Sequence, residues 1–151
     1  MGIQETAVHE RRHDSHDSLH TLLDTRKETL SLYNQLAGMR PFSPDRESQL
    51  MLQEFCEALV DYTATAHFQL YRFIEEGTER RQSVSDHAAR VYPRIEETTR
   101  AIVEFNDKYD CEDHCDNLSG LADDLSQLGE ILADRITLED QLISLLTVKR
   151  N

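Results

Sequence analysis

Apolar residues recur along this chain at intervals of three, four and seven, and no segment sustains an interval of two. The first spacing marks helices that bury one face, and the second would mark strands. Leu19, Leu22, Leu23, Leu30, Tyr33 and Leu36 predict a helix over about 14–37, stopped by Gly38 with Pro41 and Pro44 beyond it. Leu52, Cys56, Leu59, Thr63, Ala66, Leu70 and Phe73 form a second stripe, widened by Phe55, Tyr62 and Ile74. A stripe that broad faces a bundle core rather than a narrow two-stranded seam. Ser43 is the expected cap of this helix, Pro44 suits its first turn, and Gly77 marks its end. The polar stretch 78–86 reads as a loop or frayed turn and 86–91 as a short helix, with Pro93 a break or kink because it has no amide hydrogen to donate. Ile95, Ile102, Val103 and Phe105 then carry a helix over about 93–109. After an acidic connection at 110–117, a last helix is expected over about 118–148. Leu118, Leu121, Leu125, Leu128, Leu132 and Ile136 form its stripe, continued beside it by Leu138, Leu142 and Leu145.

The prediction is an all-α fold: an antiparallel helical bundle of about four main helices, with a short or kinked segment near Pro93. One domain should span residues 1–151, with 1–13 frayed. Only five Gly and three Pro interrupt the chain, which favours helices over sheets.

Charge narrows the partners. Against 16 basic side chains stand 29 acidic ones, for a net charge of −13, which disfavours nucleic acid and anionic membranes and suits a basic protein partner. Three cysteines, Cys56, Cys111 and Cys115, fit a reducing compartment better than a disulfide scaffold. The first residues lack the basic start and apolar run of a secretory signal, and the apolar runs are far too short to span a membrane. A cytoplasmic protein is expected.

Candidate chemistry is thin. His9, His13, His16 and His20 would share a helix face able to bind zinc, copper or nickel. Cys111 and Cys115 bracket His114, but a structural zinc site needs a second pair of ligands, and only Cys56 remains. The Glu-x-x-His spacing of di-iron bundles occurs only at Glu10 and His13, with His67 the one histidine expected mid-bundle. A metal-binding helical bundle, hemerythrin-like or His-rich, is the alternative reading. There is no nucleophile elbow and no phosphate-binding loop, so no enzyme activity, cofactor or metal is expected. Arg135, Glu139 and Asp140 interrupt the last apolar stripe, and Arg135 and Glu139 are spaced to pair, either as an ion pair of the fold or as a polar patch facing a partner.

The order of residues carries more. Glu54-Phe55-Cys56-Glu57-Ala58-Leu59-Val60-Asp61-Tyr62 with Ala66-His67-Phe68, and Leu128-Gly129-Glu130 with Arg135 and Leu138-Glu139-Asp140-Gln141-Leu142-Ile143, resemble the Rsd/AlgQ family of bacterial anti-sigma factors. Tyr92-Pro93-Arg94-Ile95 and Phe105-Asn106-Asp107 are closer to its AlgQ branch, and Arg26-Lys27 and the 38–41 stop also fit. The resemblance runs from about Leu19 to Leu146. It implies a helical protein that binds the primary sigma factor (sigma-70) of RNA polymerase; the oligomeric state is not set by the sequence, with a monomer expected. The target would be the basic C-terminal region that reads the promoter −35 element, and covering it would block its contacts with promoter and core polymerase. By position, the resemblance implies partner-binding roles for Asp61, Thr65, Phe68, Leu22, Arg26 and Lys27. It implies structural polar roles for Arg135, Glu139 and His67, the last as a hydrogen-bonding core residue. Two departures stand out. Where the family usually reads Asp-Arg-Trp-Leu, this chain reads His20-Thr21-Leu22-Leu23, and Ala66 stands where Gly is common.

Overall fold

The computed structural model describes residues 2–78, 82–109 and 118–147, with side chains described from Leu19 onward except at 73, 76–78, 83, 84, 146 and 147. Four helices follow one another: α1 (Gly2–Ala37), α2 (Arg46–Thr78), α3 (Gln82–Tyr109) and α4 (Leu121–Thr147). Among the described residues there is no strand.

Cross-helix contacts set the directions. Thr29 of α1 meets the Ala58 carbonyl of α2, and Tyr33 meets Phe55. His67 of α2 meets Tyr92 of α3, and Phe55 meets Phe105. Thr99 of α3 meets Arg135 of α4, and Tyr109 meets Asp124. Each pair runs opposite in sequence, so neighbouring helices are antiparallel. The result is an up-down-up-down bundle in which α1 packs closely on α2, α2 on α3 and α3 on α4.

The stripes account for the core. Leu22, Leu36, Leu52, Phe55, Leu59, Tyr62, Ile102, Leu121, Leu125 and Leu128 are sealed into one cluster. Burying each such side chain contributes roughly 1.5–3 kcal/mol. A second, smaller cluster of Ala88, Val91, Ile95, Leu138 and Leu142 lies between α3 and α4.

Several boundaries differ from the expectation. The α2 cap is Asp45, not Ser43: the Asp45 carboxylate accepts from the Ser48 amide at 2.7 Å, and the Ser43 hydroxyl supports that carboxylate at 2.7 Å. Those hydrogen bonds, that of Ser43 first, hold the Asp45 carboxyl below its usual range. Pro44 therefore precedes the helix, and α2 runs through Gly77 to Thr78. The expected short helix over 86–91 and the helix after Pro93 are one element, with Pro93 inside α3. Ala88, Val91, Ile95 and Ile102 bury one face on both sides of the proline, while Pro93 itself is exposed. The carbonyl that loses its partner is thus left on the solvent side, where water satisfies it. Residues 110–117, and with them Cys111, His114 and Cys115, lie outside the described residues, as do the side chains of His9, His13 and His16.

Candidate functional site

A polar layer crosses the bundle and fixes how α2 is turned. Arg135 and Glu139 of α4 are 1% and 0% exposed, and Arg135 Nε donates to Glu139 at 3.0 Å. Two buried charges are tolerable only when paired and hydrogen-bonded. Here every helix contributes a partner. Tyr62 of α2 donates its hydroxyl to Glu139 at 2.6 Å. Thr99 and Thr98 of α3 accept from Arg135 Nη1 at 2.7 and 3.2 Å. Arg26 of α1 donates to Asp140 at 2.8 Å and lies 3.4 Å from Glu139. The Arg135 guanidinium also lies over the Tyr62 ring, 5.5 Å from its centre. Burial, and then the Glu139 charge, push the Tyr62 hydroxyl far above the ordinary tyrosine range, so it remains a donor. Burial pulls Arg26 down, but its bond to Asp140 and the nearby carboxylates outweigh that and leave it raised.

With Tyr62 turned inward, its neighbours on α2 face out. At 100° per residue, Leu50, Glu54, Asp61, Phe68 and Arg72 fall close to one line along the helix, flanked by Glu57, Ala64, Val60 and Tyr71 on one side and by Thr65 on the other. Among the described residues the exposed large apolar side chains are Leu23, Leu50, Val60, Phe68, Tyr71 and Val103. Four of these six belong to α2, and Phe68 is 70% exposed. Phe68 also packs edge-on against His67, 5.5 Å between ring centres, and His67 stacks on Tyr71 at 6.3 Å. A face of apolar side chains interleaved with the carboxylates of Glu54, Glu57 and Asp61 suits a protein partner that brings both apolar and basic groups.

The residues singled out from sequence divide accordingly. Asp61, Thr65 and Phe68 share the outer face of α2, Thr65 half-buried at its edge. Lys27 is exposed on α1. Leu22 is not available to a partner: it is fully buried in the core cluster, because the same stripe that makes α1 helical points it inward. Arg26 does not line an open groove, since its side chain is 15% exposed and committed to Asp140 and Glu139. His67 is not a core residue. It is exposed, and its Nδ1 shares a hydrogen bond of 3.1 Å with the Tyr92 hydroxyl. Arg135 and Glu139 are the buried pair described above. Sequence reasoning missed Tyr62, Thr98 and Thr99, whose only signal was a polar atom on an apolar stripe. Among the described residues, no group of three or more His, Cys, Asp or Glu side chains is arranged to hold a metal ion, and no helix is long and apolar enough to cross a membrane.

Comparison with known proteins gives a consistent result. The family model described as "Regulator of RNA polymerase sigma(70) subunit, Rsd/AlgQ" matches residues 1–147. Proteins named "Regulator of sigma D" from Salmonella typhimurium, Salmonella typhi and Salmonella enteritidis are each 36% identical to the chain over 127 residues, covering 82% of this chain and 77% of theirs. No solved structure matches the chain.

Proposed function

Because the chain belongs to the Rsd/AlgQ family of regulators of the RNA polymerase sigma-70 subunit, we propose that it is an anti-sigma factor that binds the primary sigma factor and lowers its use by RNA polymerase. The family match over residues 1–147 carries this reading. The finer proposal is that the partner surface is the basic C-terminal region of sigma that reads the −35 element. Masking it would block both promoter and core-polymerase contacts. The chain works by binding, as a cytoplasmic protein without a catalytic step.

Charge and shape support the pairing. A net charge of −13 draws a basic partner in and quickens encounter. The exposed stripe from Leu50 to Tyr71 supplies apolar area, and Asp61 at its centre supplies an acceptor for an arginine or lysine. Thr65 and Lys27 are proposed to flank that contact.

The test is a calorimetric titration of the full chain with the isolated C-terminal region of the primary sigma factor. Saturable binding is expected, weakening as salt rises. Asp61→Ala should weaken it about tenfold, or about 1.4 kcal/mol, with helix content unchanged. Absence of binding at low ionic strength would refute the sigma reading. Unchanged affinity in the variant would move the contact off Asp61.

A further inference from the structure

A cleft of ≈ 240 Å³ opens between α2 and α3, with α4 as its floor. His67 lines it from α2, Tyr92, Glu96, Thr99 and Arg100 from α3, and Arg135 from α4. Arg135 is the unusual member. It is 1% exposed, yet its guanidinium is not used up. Nε serves Glu139 and Nη1 serves Thr98 and Thr99. Nη2 donates to none of these three groups, the guanidinium also interacts with the Tyr62 hydroxyl, and the side chain lines the cleft. A buried guanidinium with N–H capacity left over at the Nη2 end calls for an oxygen acceptor.

The walls offer what such an acceptor needs. Arg100 adds a second positive charge, and the Tyr92 hydroxyl and His67 ring stand together at 3.1 Å. Glu96, one helical turn before Arg100, limits the negative charge the cleft tolerates. Arg135 and Arg100 stand against Glu139 and Glu96, so the cleft is close to neutral and directed N–H groups, rather than surplus charge, are what it offers an anion. Arginine pairs oxyanions through two parallel N–H bonds, and strongly when water is displaced. The volume admits a small ligand only.

We propose that this cleft binds a small oxyanion, a phosphate or a short carboxylate, held between Arg135 on its floor and Arg100 on its wall. The ligand would tie α2 to α3 and α4 one turn from Thr65 and Phe68.

Inorganic phosphate and succinate, each titrated calorimetrically into the full chain at ionic strength fixed with chloride, test this. One of them should bind saturably with a Kd below about 1 mM, and which one does identifies the source of the oxyanion. Arg100→Glu, and the milder Arg100→Gln, should each weaken that binding at least tenfold. Arg100 is exposed, so neither variant disturbs the core. Arg94→Glu, an equal charge change at an exposed site of α3 outside the cleft, should leave it within twofold. The proposal is overturned if neither anion saturates below about 10 mM. Equal weakening in the Arg94 and Arg100 variants would also overturn it, by showing a diffuse field rather than a site.

Discussion

A Cβ at position 129 would lie 2.3 Å from the Tyr33 hydroxyl oxygen and 3.0 Å from the ring carbon that bears it. Glycine there lets Tyr33 reach from α1 across to α4, where its hydroxyl donates to the Leu125 carbonyl at 2.8 Å. Gly129→Ala would gain about 1 kcal/mol of helix propensity but must displace that ring, at about 1–3 kcal/mol, and the hydrogen bond with it. A net loss of stability in urea denaturation is expected. Adding Tyr33→Phe removes the nearest clashing atom, so the double variant should be more stable than the sum of its parts by about 1 kcal/mol. If the two losses simply add, the close approach is not what Gly129 serves. Leu22 makes a related point. It stands where the resemblance to the family implies a tryptophan, and here that position is sealed in the core. The smaller side chain changes packing volume inside the bundle rather than an anchor on its surface.

At the scale of elements, Asp124 near the start of α4 holds the end of α3. Lys108 donates to its carboxylate at 2.7 Å, and the Tyr109 hydroxyl donates to the same oxygen. The Lys108 bond first, then that of Tyr109, lower the Asp124 carboxyl below the ordinary 3.8. A depressed carboxyl stabilises the fold at pH values above the unfolded value and loses that contribution as pH falls through the folded one. Asp124→Asn should therefore destabilise the protein at pH 7, by less than about 1 kcal/mol because the pair is partly exposed. That gap, followed by denaturation at successive pH values, should close below pH 3.8, the ordinary value. A gap independent of pH would mean the carboxylate charge is not involved. The helices themselves were legible because apolar residues at three and four mark their buried faces, leucine mostly in α1, α2 and α4 and isoleucine and valine in α3, and α4 follows its stripe closely. Pro93 misled because propensity is local. One lost hydrogen bond, on the solvent side, is outweighed by the buried face of Ala88, Val91, Ile95 and Ile102. The outer face of α2 followed from the phase of its buried stripe, which fixes where Asp61 and Phe68 point. The polar layer was not legible beyond Arg135 and Glu139. Its other members lie far off in sequence, Tyr62 being 77 residues from Glu139 and Arg26 being 114 from Asp140, so periodicity within one helix could not pair them.

For the molecule as a whole, that layer decides which bundle the stripes build. Four amphipathic helices with aliphatic faces can pack in more than one rotation and register, since apolar contacts are non-directional. Arg26, Tyr62, Thr99 and Glu139, one residue from each helix, meet only in one arrangement. That arrangement turns Tyr62 in and Asp61 out, so the proposed sigma-binding face depends on a network that never touches the partner. The layer also lies where the main cluster gives way to the smaller one between α3 and α4, so apolar packing alone does not hold this level. Arg135→Met leaves the enclosed Glu139 with only the longer Arg26 contact at 3.4 Å as a cation, and breaking a buried pair costs up to about 3–5 kcal/mol. Replacing both, with Arg135→Met and Glu139→Leu, removes the stranded charge and should recover most of that loss in a urea melt. Stability and orientation then separate. The double variant should be folded and helical yet bind the sigma region more weakly than the native chain, because Tyr62 no longer has the acceptor that sets the rotation of α2. Full stability together with native affinity would show that leucine packing alone sets that rotation. If the double variant is as unstable as Arg135→Met, the loss comes from packing at position 135 rather than from an unpaired charge.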